Sequence, residues 1–266
     1  MEFAFSSADH LVRFTIDVAP PECQNHTRLA AAYDLALSLG HEIPEDRCRW
    51  TQMQSSATLS WGARLGVRES RGVEKVKYYL EVPPRAQTLF RTIPGAPLKD
   101  SVVVMIGYDP RSGVTEYYFR QQKLSKFQFD YLLKELGDDR AHGEIEDAIE
   151  QLCGMPIASV LEWTSFGFSL VRQEQSAVPR LTLFVRCQAI GGADRARQRM
   201  VERMPDRFRK RSLYYRLVAD LPKREVPDHG VLSIACSPLG EPEMRVGLSS
   251  AALSRLLGRL SGEERS

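Results

Sequence analysis

Polar and apolar positions alternate most cleanly in the stretch Gly72–Pro83, GVEKVKYYLEVP. Val76, Tyr78, Leu80 and Val82 fall on one face of an extended chain; Lys75, Lys77, Tyr79 and Glu81 fall on the other. The first face requires packing. The second carries two lysines and a tyrosine in mid-strand, which in an isolated strand reads as a solvated sheet face. The same alternation recurs. Thr58–Arg68 sets Leu59, Trp61, Ala63, Leu65 and Val67 against Arg64, Gly66 and Arg68, and a Ser-Arg-Gly turn joins it to the 72–83 strand as a hairpin. Thr115–Gln121 sets Tyr117 and Phe119 against Glu116, Tyr118 and Arg120, and follows Val102–Tyr108 across the turn Asp109–Gly113. Further strands are predicted at Leu11–Val18, Glu162–Arg172, Arg180–Gln188, Ser212–Ala219, Gly230–Cys236 and Glu243–Leu248.

Helical periodicity separates these strands. Arg28–Leu39 carries an apolar stripe of Leu29, Ala32, Tyr33, Ala36 and Leu37 and stops at Gly40. Ser125–Leu136 opens on a serine cap, and Gly143–Cys153 ends at Gly154. Asp194–Met204 reads as a basic helix, and Ala251–Leu260 as a last one behind Ser249. Residues 41–56 show no clear period.

About ten strands in antiparallel pairs, with amphipathic helices between most pairs, define an α+β chain rather than a parallel βαβ sheet. An open sheet that wide leaves two edges to protect, and closure removes them. With helices packed outside, the apolar faces point outward and the mixed faces line the interior. The predicted fold is a closed ten-stranded antiparallel β-barrel surrounded by α-helices, as one domain over 1–266. The assignment rests on strand parity, which a one-residue bulge near 75 would reverse.

Composition narrows the setting. Apolar residues make up 43% and charged residues 26%, as in globular proteins, and the formal net charge of +2 is too small to argue for nucleic-acid binding. Five scattered cysteines without CxxC spacing disfavour a disulfide scaffold or zinc site and fit a reducing cytoplasm. No apolar run reaches the length of a membrane span, and the first residues lack a basic, apolar signal pattern. HExxH, GxSxG and glycine-rich nucleotide loops are absent, and His10, His26, His41, His142 and His229 stand isolated. Cations and tyrosines converging inside a barrel require an anion, and guanidinium, ammonium and phenol groups suit a phosphate or diphosphate.

At these residues the chain resembles the aromatic prenyltransferases of the αββα-barrel type, most nearly their soluble indole- and peptide-modifying branches. The features that carry the resemblance are Lys77-Tyr78-Tyr79, as a Lys-x-Tyr strand segment, and the strand from Arg180 to Arg186. It spans roughly residues 10–260, and the motifs are short. A DDxxD-like motif is missing; Asp138-Asp139 reads as a solvated helix end. The resemblance implies transfer of a prenyl group from a prenyl diphosphate to an aromatic or peptide acceptor, in secondary metabolism. Arg64, Lys77, Arg186 and Arg245 would neutralise the diphosphate. Tyr79 and Tyr214 would donate to it or shield the allyl cation. Phe166 and Phe184 would form aromatic wall, and Glu81 or Glu162 would take the acceptor proton. Each of these carboxylates has the alternative of pairing with a lumen cation, and each arginine that of a rim salt bridge. No cofactor or protein-held metal site is expected, magnesium accompanying the diphosphate. The chain is expected to be a cytoplasmic monomer with no nucleic-acid or membrane partner. Two other readings stay open: a barrel that binds without turnover, and a polyanion-binding module using the basic segment 194–211.

Overall fold

A computed structural model describes residues 2–6, 12–20, 22–55, 57–70, 73–90, 101–121, 123–135, 139–163, 166–173, 176–186, 206, 229–237 and 240–249. Ten strands make the barrel: β1 (Glu2–Ser6), β2 (Val12–Asp17), β3 (Ala63–Ser70), β4 (Val73–Glu81), β5 (Val102–Asp109), β6 (Val114–Gln121), β7 (Phe166–Gln173), β8 (Ser176–Arg186), β9 (His229–Ser237) and β10 (Gly240–Ser249). Each pairs antiparallel with its neighbours in sequence, and β1 pairs with both β2 and β10, so the sheet closes without an edge. The expected closed ten-stranded antiparallel barrel is therefore the observed one.

One stave differs from expectation. The closing strand is Glu2–Ser6, whose EFAFS alternation is only five residues long and sits at the chain start. The segment 212–219, expected as a strand, lies outside the described residues, and the barrel closes without it: β8 pairs directly with β9. The expected helices at 194–204 and 251–260 also lie outside the described residues.

The described α-helices are α1 (Arg28–Ser38), α2 (Arg47–Ser55), α3 (Lys126–Glu135), α4 (Asp139–Cys153) and α5 (Ile157–Trp163). α1 buries Leu29, Ala32, Tyr33 and Ala36, and the Tyr33 ring meets outward-facing Tyr78 of β4 edge-on at 5.6 Å. Burial pushes the Tyr78 hydroxyl up to about 12. α2 escaped the periodicity reading because its inward face is only Trp50, Met53 and Gln54, one of them polar. Trp50 packs edge-on to Tyr108 of β5 at 4.9 Å. α3 opens on a reciprocal cap: the Gln128 amide N–H donates to Ser125 Oγ at 3.2 Å, and the Ser125 N–H donates to Gln128 Oε1 at 2.9 Å.

α5 replaces the start of the expected strand 162–172. Ile157, Val160 and Leu161 are buried at helical spacing, and Glu150 Oε1 accepts the otherwise unpartnered Ile157 N–H at 2.6 Å. The extended chain begins only at Phe166. Glu162 is thus an exposed helical residue and not the start of a strand.

The turn before β3 is held from three sides. The Glu81 carboxylate accepts the backbone N–H groups of Ser60, Trp61 and Gly62 at 2.8, 2.6 and 2.7 Å. Gln54, 1% exposed, donates to the Gly62 and Glu81 carbonyls at 2.9 and 3.0 Å. Asn25 Nδ2 donates to the Leu59 carbonyl at 2.8 Å. Gly62 itself has φ +73°, and a Cβ there would overlap the Asn25 carbonyl. Gly62→Ala is expected to destabilise the fold by about 2 kcal/mol or more through left-handed strain and that backbone overlap. Urea unfolding at neutral pH measures it; unchanged stability would refute this account of the turn.

Candidate active site

The register from Ala63↔Leu80 to Ser70↔Val73 runs without a shift, so the parity of β4 is as the sequence predicts. Val76, Tyr78 and Leu80 are at most 3% exposed and face the outer shell. Lys77 and Tyr79 face inward. Two glycines make room for them along the wall. A Cβ on Gly107 of β5 would strike Lys77 Cε, and one on Gly66 of β3 would lie 2.6 Å from Tyr79 Cε2. The Lys77 stem therefore crosses the bare backbone of Gly107 to reach β6, while the Tyr79 ring lies over Gly66.

Lys77 meets Glu116, the register partner of Gly107. Lys77 Nζ donates to Glu116 Oε2 and lies 3.2 Å from the Tyr118 hydroxyl. Tyr118 donates to the same carboxylate oxygen at 2.8 Å, and Ser169 of β7 donates to Oε1. The ammonium also sits over the rings of Tyr79 and Tyr118, 5.4 and 5.5 Å from their centroids. The Tyr118 ring continues the aromatic lining to Phe184 of β8 at 5.5 Å.

Burial works against the charge on both partners, and their mutual attraction outweighs it. The Lys77 ammonium is pulled down by desolvation but held above the ordinary lysine value by Glu116. The Glu116 carboxyl is pushed up by desolvation but held below the usual carboxylate range by Lys77 and by the hydrogen bonds of Ser169 and Tyr118. The Tyr118 phenol is pushed well up, by burial first and then by the Glu116 charge. Arg245 joins the same field: it feels Glu116 and Tyr118 as attractions, and Lys77 feels it as a like charge.

Arg245 is itself forked onto Glu243, with Nε and one terminal nitrogen 2.7 and 3.0 Å from its two oxygens, and Arg13 of β2 donates to Glu243 at 3.3 Å. Arg64 pairs with Asp17 at 2.9 Å, both side chains more than a third exposed, which places this pair at an open rim. The lumen face is not sealed core: 27% of the Lys77 side chain and 25% of the Arg245 side chain remain accessible.

Of the residues singled out from the sequence, the structure brings Lys77, Tyr79, Phe184 and Arg245 to one face, with Arg64 at its edge. Arg186 stands at the register parity of Thr182 and Phe184, the inward one. Tyr214 lies outside the described residues. Three assignments change. Glu81 shares the inward parity, but its carboxylate is committed to the three backbone N–H groups of the turn, so it is a structural anchor and not a proton acceptor. Glu162 is exposed on α5, apart from the inward faces. Phe166 occupies the parity of Phe168, which is buried and stacked on Phe119 at 4.8 Å; the inward positions of β7 are Gly167, Ser169 and Val171. The sequence reading missed Arg13, Asp17, Glu116, Tyr118, Ser169 and Glu243 as site residues. Strand alternation already put Glu116 with Tyr118 on a mixed face, and Glu243 stands two residues from Arg245 in one predicted strand; what it could not show was which cation each acid meets.

Among the described residues, the one group with metal-ligand geometry is Asp130, His142 and Glu146, between α3 and α4. His142 is thus less isolated than its spacing implies, its ring nitrogen lying 2.8 Å from Asp130. Lys126 Nζ already lies 2.7 and 3.1 Å from the two carboxylates and supplies the cation. No described helix is long and apolar enough to cross a membrane.

A closed antiparallel barrel with ten staves, helices outside and a polar, aromatic inner face defines a class of fold rather than a single activity. Comparison with solved structures gives that class its name. The chain superposes on 5-dimethylallyltryptophan synthase from Streptomyces coelicolor, in complex with DMASPP and Trp, with a TM-score of 0.74 at 15% identity, covering 94% of this chain and 79% of that one. It superposes on the prenyltransferase PriB, in ternary complex with L-tryptophan and dimethylallyl thiolodiphosphate, with a TM-score of 0.72 at 17% identity, covering 94% and 80%. AnaPT from Neosartorya fischeri follows at 0.58 and 12%, covering 94% and 77%. No family model and no curated protein sequence matches the chain. The chain has the αββα-barrel fold of the aromatic prenyltransferases.

Two measurements follow from this geometry. Glu81→Gln keeps the side-chain shape but replaces an acceptor oxygen by an amide donor facing backbone N–H groups. It is expected to lower stability by about 2 kcal/mol in urea unfolding. The second concerns pH. The depressed Glu116 value makes its contribution to stability fully present above the unfolded glutamate value, about 4.3, and lost as pH falls through the folded value. The raised Lys77 value makes its contribution present below about 10.4 and lost as pH rises through its folded value. Stability measured against pH should therefore fall in acid below about pH 4, and Glu116→Gln should shallow that limb.

Proposed function

We propose that this chain transfers an allylic prenyl group from a prenyl diphosphate to an aromatic acceptor inside the barrel. The observation that carries the reading is the inner face itself: Lys77, Arg245, Tyr79, Tyr118 and Phe184 set cations beside aromatic rings on the wall of a fold whose solved relatives include complexes with a prenyl diphosphate analogue and tryptophan.

In this reading Lys77 and Arg245, with Arg64 at the rim and Arg186 on β8, take up the negative charge that develops on the diphosphate as the bond to C1 of the prenyl group lengthens. Charge-assisted hydrogen bonds to the leaving oxygens strengthen as that charge grows, and so lower the barrier and not merely the ground state. The Tyr79 and Tyr118 rings present their negative faces to the allylic cation. The ammonium of Lys77 occupies a similar position over both rings, which supports their competence to hold positive charge there. Phe184 extends the wall against which a flat acceptor stacks. The acceptor's π electrons or heteroatom then bond to C1 as the C1–O bond breaks, and the acceptor's proton passes to the released diphosphate, the base that the reaction itself supplies. Magnesium, if it accompanies the substrate, would serve as a counter-ion to the diphosphate; among the described residues the lumen carboxylates Asp17, Glu116 and Glu243 are each paired with a cation and are not gathered as a ligand set. Indole, phenol and peptide side chains are all within the acceptor class.

A second reading is favoured by that same pairing. A lumen in which Lys77, Arg245 and Arg64 each face a carboxylate also suits a barrel that binds an aromatic ligand without turnover. Product formation separates the two. Incubation with dimethylallyl diphosphate and tryptophan or an indole should yield a prenylated product by mass spectrometry. Lys77→Ala should lower diphosphate-substrate affinity by about tenfold or more while the protein stays folded. Turnover absent with every prenyl diphosphate and aromatic acceptor tried, despite ligand binding, would favour the binding barrel.

A further inference from the structure

We propose that Glu116 is an anion-competing residue: it holds Lys77 in the diphosphate-free lumen and sets how weakly the lumen retains diphosphate. This rests on the prenyl-diphosphate reading above and adds to it a residue that controls release of the leaving group.

Glu116 is 6% exposed and belongs wholly to the inner wall. Its acceptor sites are taken by Lys77, Tyr118 and Ser169, so the carboxylate is locked in place from β4, from its own strand and from β7. Lys77 is not locked in the same way. Its ammonium is held by Glu116 and Tyr118 from β6, but its stem runs over the bare backbone of Gly107, and 27% of the side chain is accessible. A fixed anion thus faces a cation on a flexible four-carbon arm. An arriving diphosphate either draws Lys77 off Glu116, leaving a buried carboxylate without its main counter-charge, or shares Lys77 with it, placing two anions at one ammonium. Both arrangements are penalised in a partly desolvated site. The penalty acts on bound diphosphate whether it arrives as substrate or remains as product, and its relief favours release.

The geometry is not that of a chance surface pair. Arg245 is forked onto Glu243 on the same inner face, and Arg64 meets Asp17 at the rim, so Lys77, Arg245 and Arg64 share the device of a built-in counter-anion. Glu116 is the most enclosed of the three carboxylates and pairs with the cation nearest the tyrosine rings, where competition is least screened.

The test is calorimetric titration of inorganic pyrophosphate into the wild type, into Glu116→Gln and Glu116→Met, and into each with Lys77→Met added. Cooperative thermal unfolding establishes that each variant is folded, and two uncharged replacements are used so that the result does not depend on one substitution being accommodated. The expected outcome is pyrophosphate binding tightened by about tenfold or more in the uncharged variants, with the gain lost when Lys77 is also replaced. Glu116→Asp, which retains the charge, should stay near the wild type. Wild-type binding with unchanged or weaker binding in the folded uncharged variants overturns this inference alone. Absence of pyrophosphate and dimethylallyl diphosphate binding in the wild type and in both uncharged variants overturns it together with the prenyl-diphosphate reading.

Discussion

Closure of the sheet by β1 is the constraint on which the rest depends. Five residues, Glu2–Ser6, pair with β2 on one side and β10 on the other, and convert a nine-strand sheet with two open edges into a ring. Only after closure does the word inside have meaning for the mixed faces. In an open sheet Lys77 and Glu116 would stand on a solvated surface, where an ion pair contributes little. In the ring they share a partly dry interior with Tyr79, Tyr118 and Arg245, where the same charges shift one another's protonation and require one another's presence.

The inner face is organised by omission as much as by charge. Gly66 and Gly107 flank β4 on its two neighbouring staves, and their missing side chains let Tyr79 and Lys77 lie along the wall in opposite directions. A larger residue at either site would push its neighbour into the lumen. The outer face shows the complementary pattern, with Tyr78, Leu80 and Phe168 fully buried against neighbouring rings and helices. One strand thus supports two chemistries, separated by the thickness of a single backbone.

Glu81 illustrates how the two kinds of carboxylate divide. Glu81 and Glu116 are both buried and both on the inner parity of their strands. Glu81 lies at the strand end, where the Ser60–Gly62 backbone presents three N–H groups, and it is consumed in building the turn. Glu116 lies in mid-strand and meets the Lys77 ammonium, which is partly open to the lumen. Position along the stave, and not residue type or parity, makes the difference.

Much of the architecture was legible because it is local. Period-two alternation within each strand depends only on neighbouring residues, and so the inward placement of Lys77 and Tyr79 followed from the chain alone. So did the antiparallel pairing, from turns such as Asp109–Gly113. The failures were at element ends and at short elements. Residues 162–165 alternate well enough to extend a strand, but Ile157, Val160 and Leu161 commit the preceding chain to a helix, and this removed Glu162 from the strand, with Phe166 left at the register parity of Phe168. The first strand, five residues long with two phenylalanines, has too little pattern to announce itself. What only the tertiary structure decided is the partner of each charge. Glu116 is 39 positions from Lys77, and Arg13 is 230 from Glu243. No local pattern encodes those distances, because they are set by barrel closure and register, and through them a row of apparently free cations becomes a set of counter-balanced pairs.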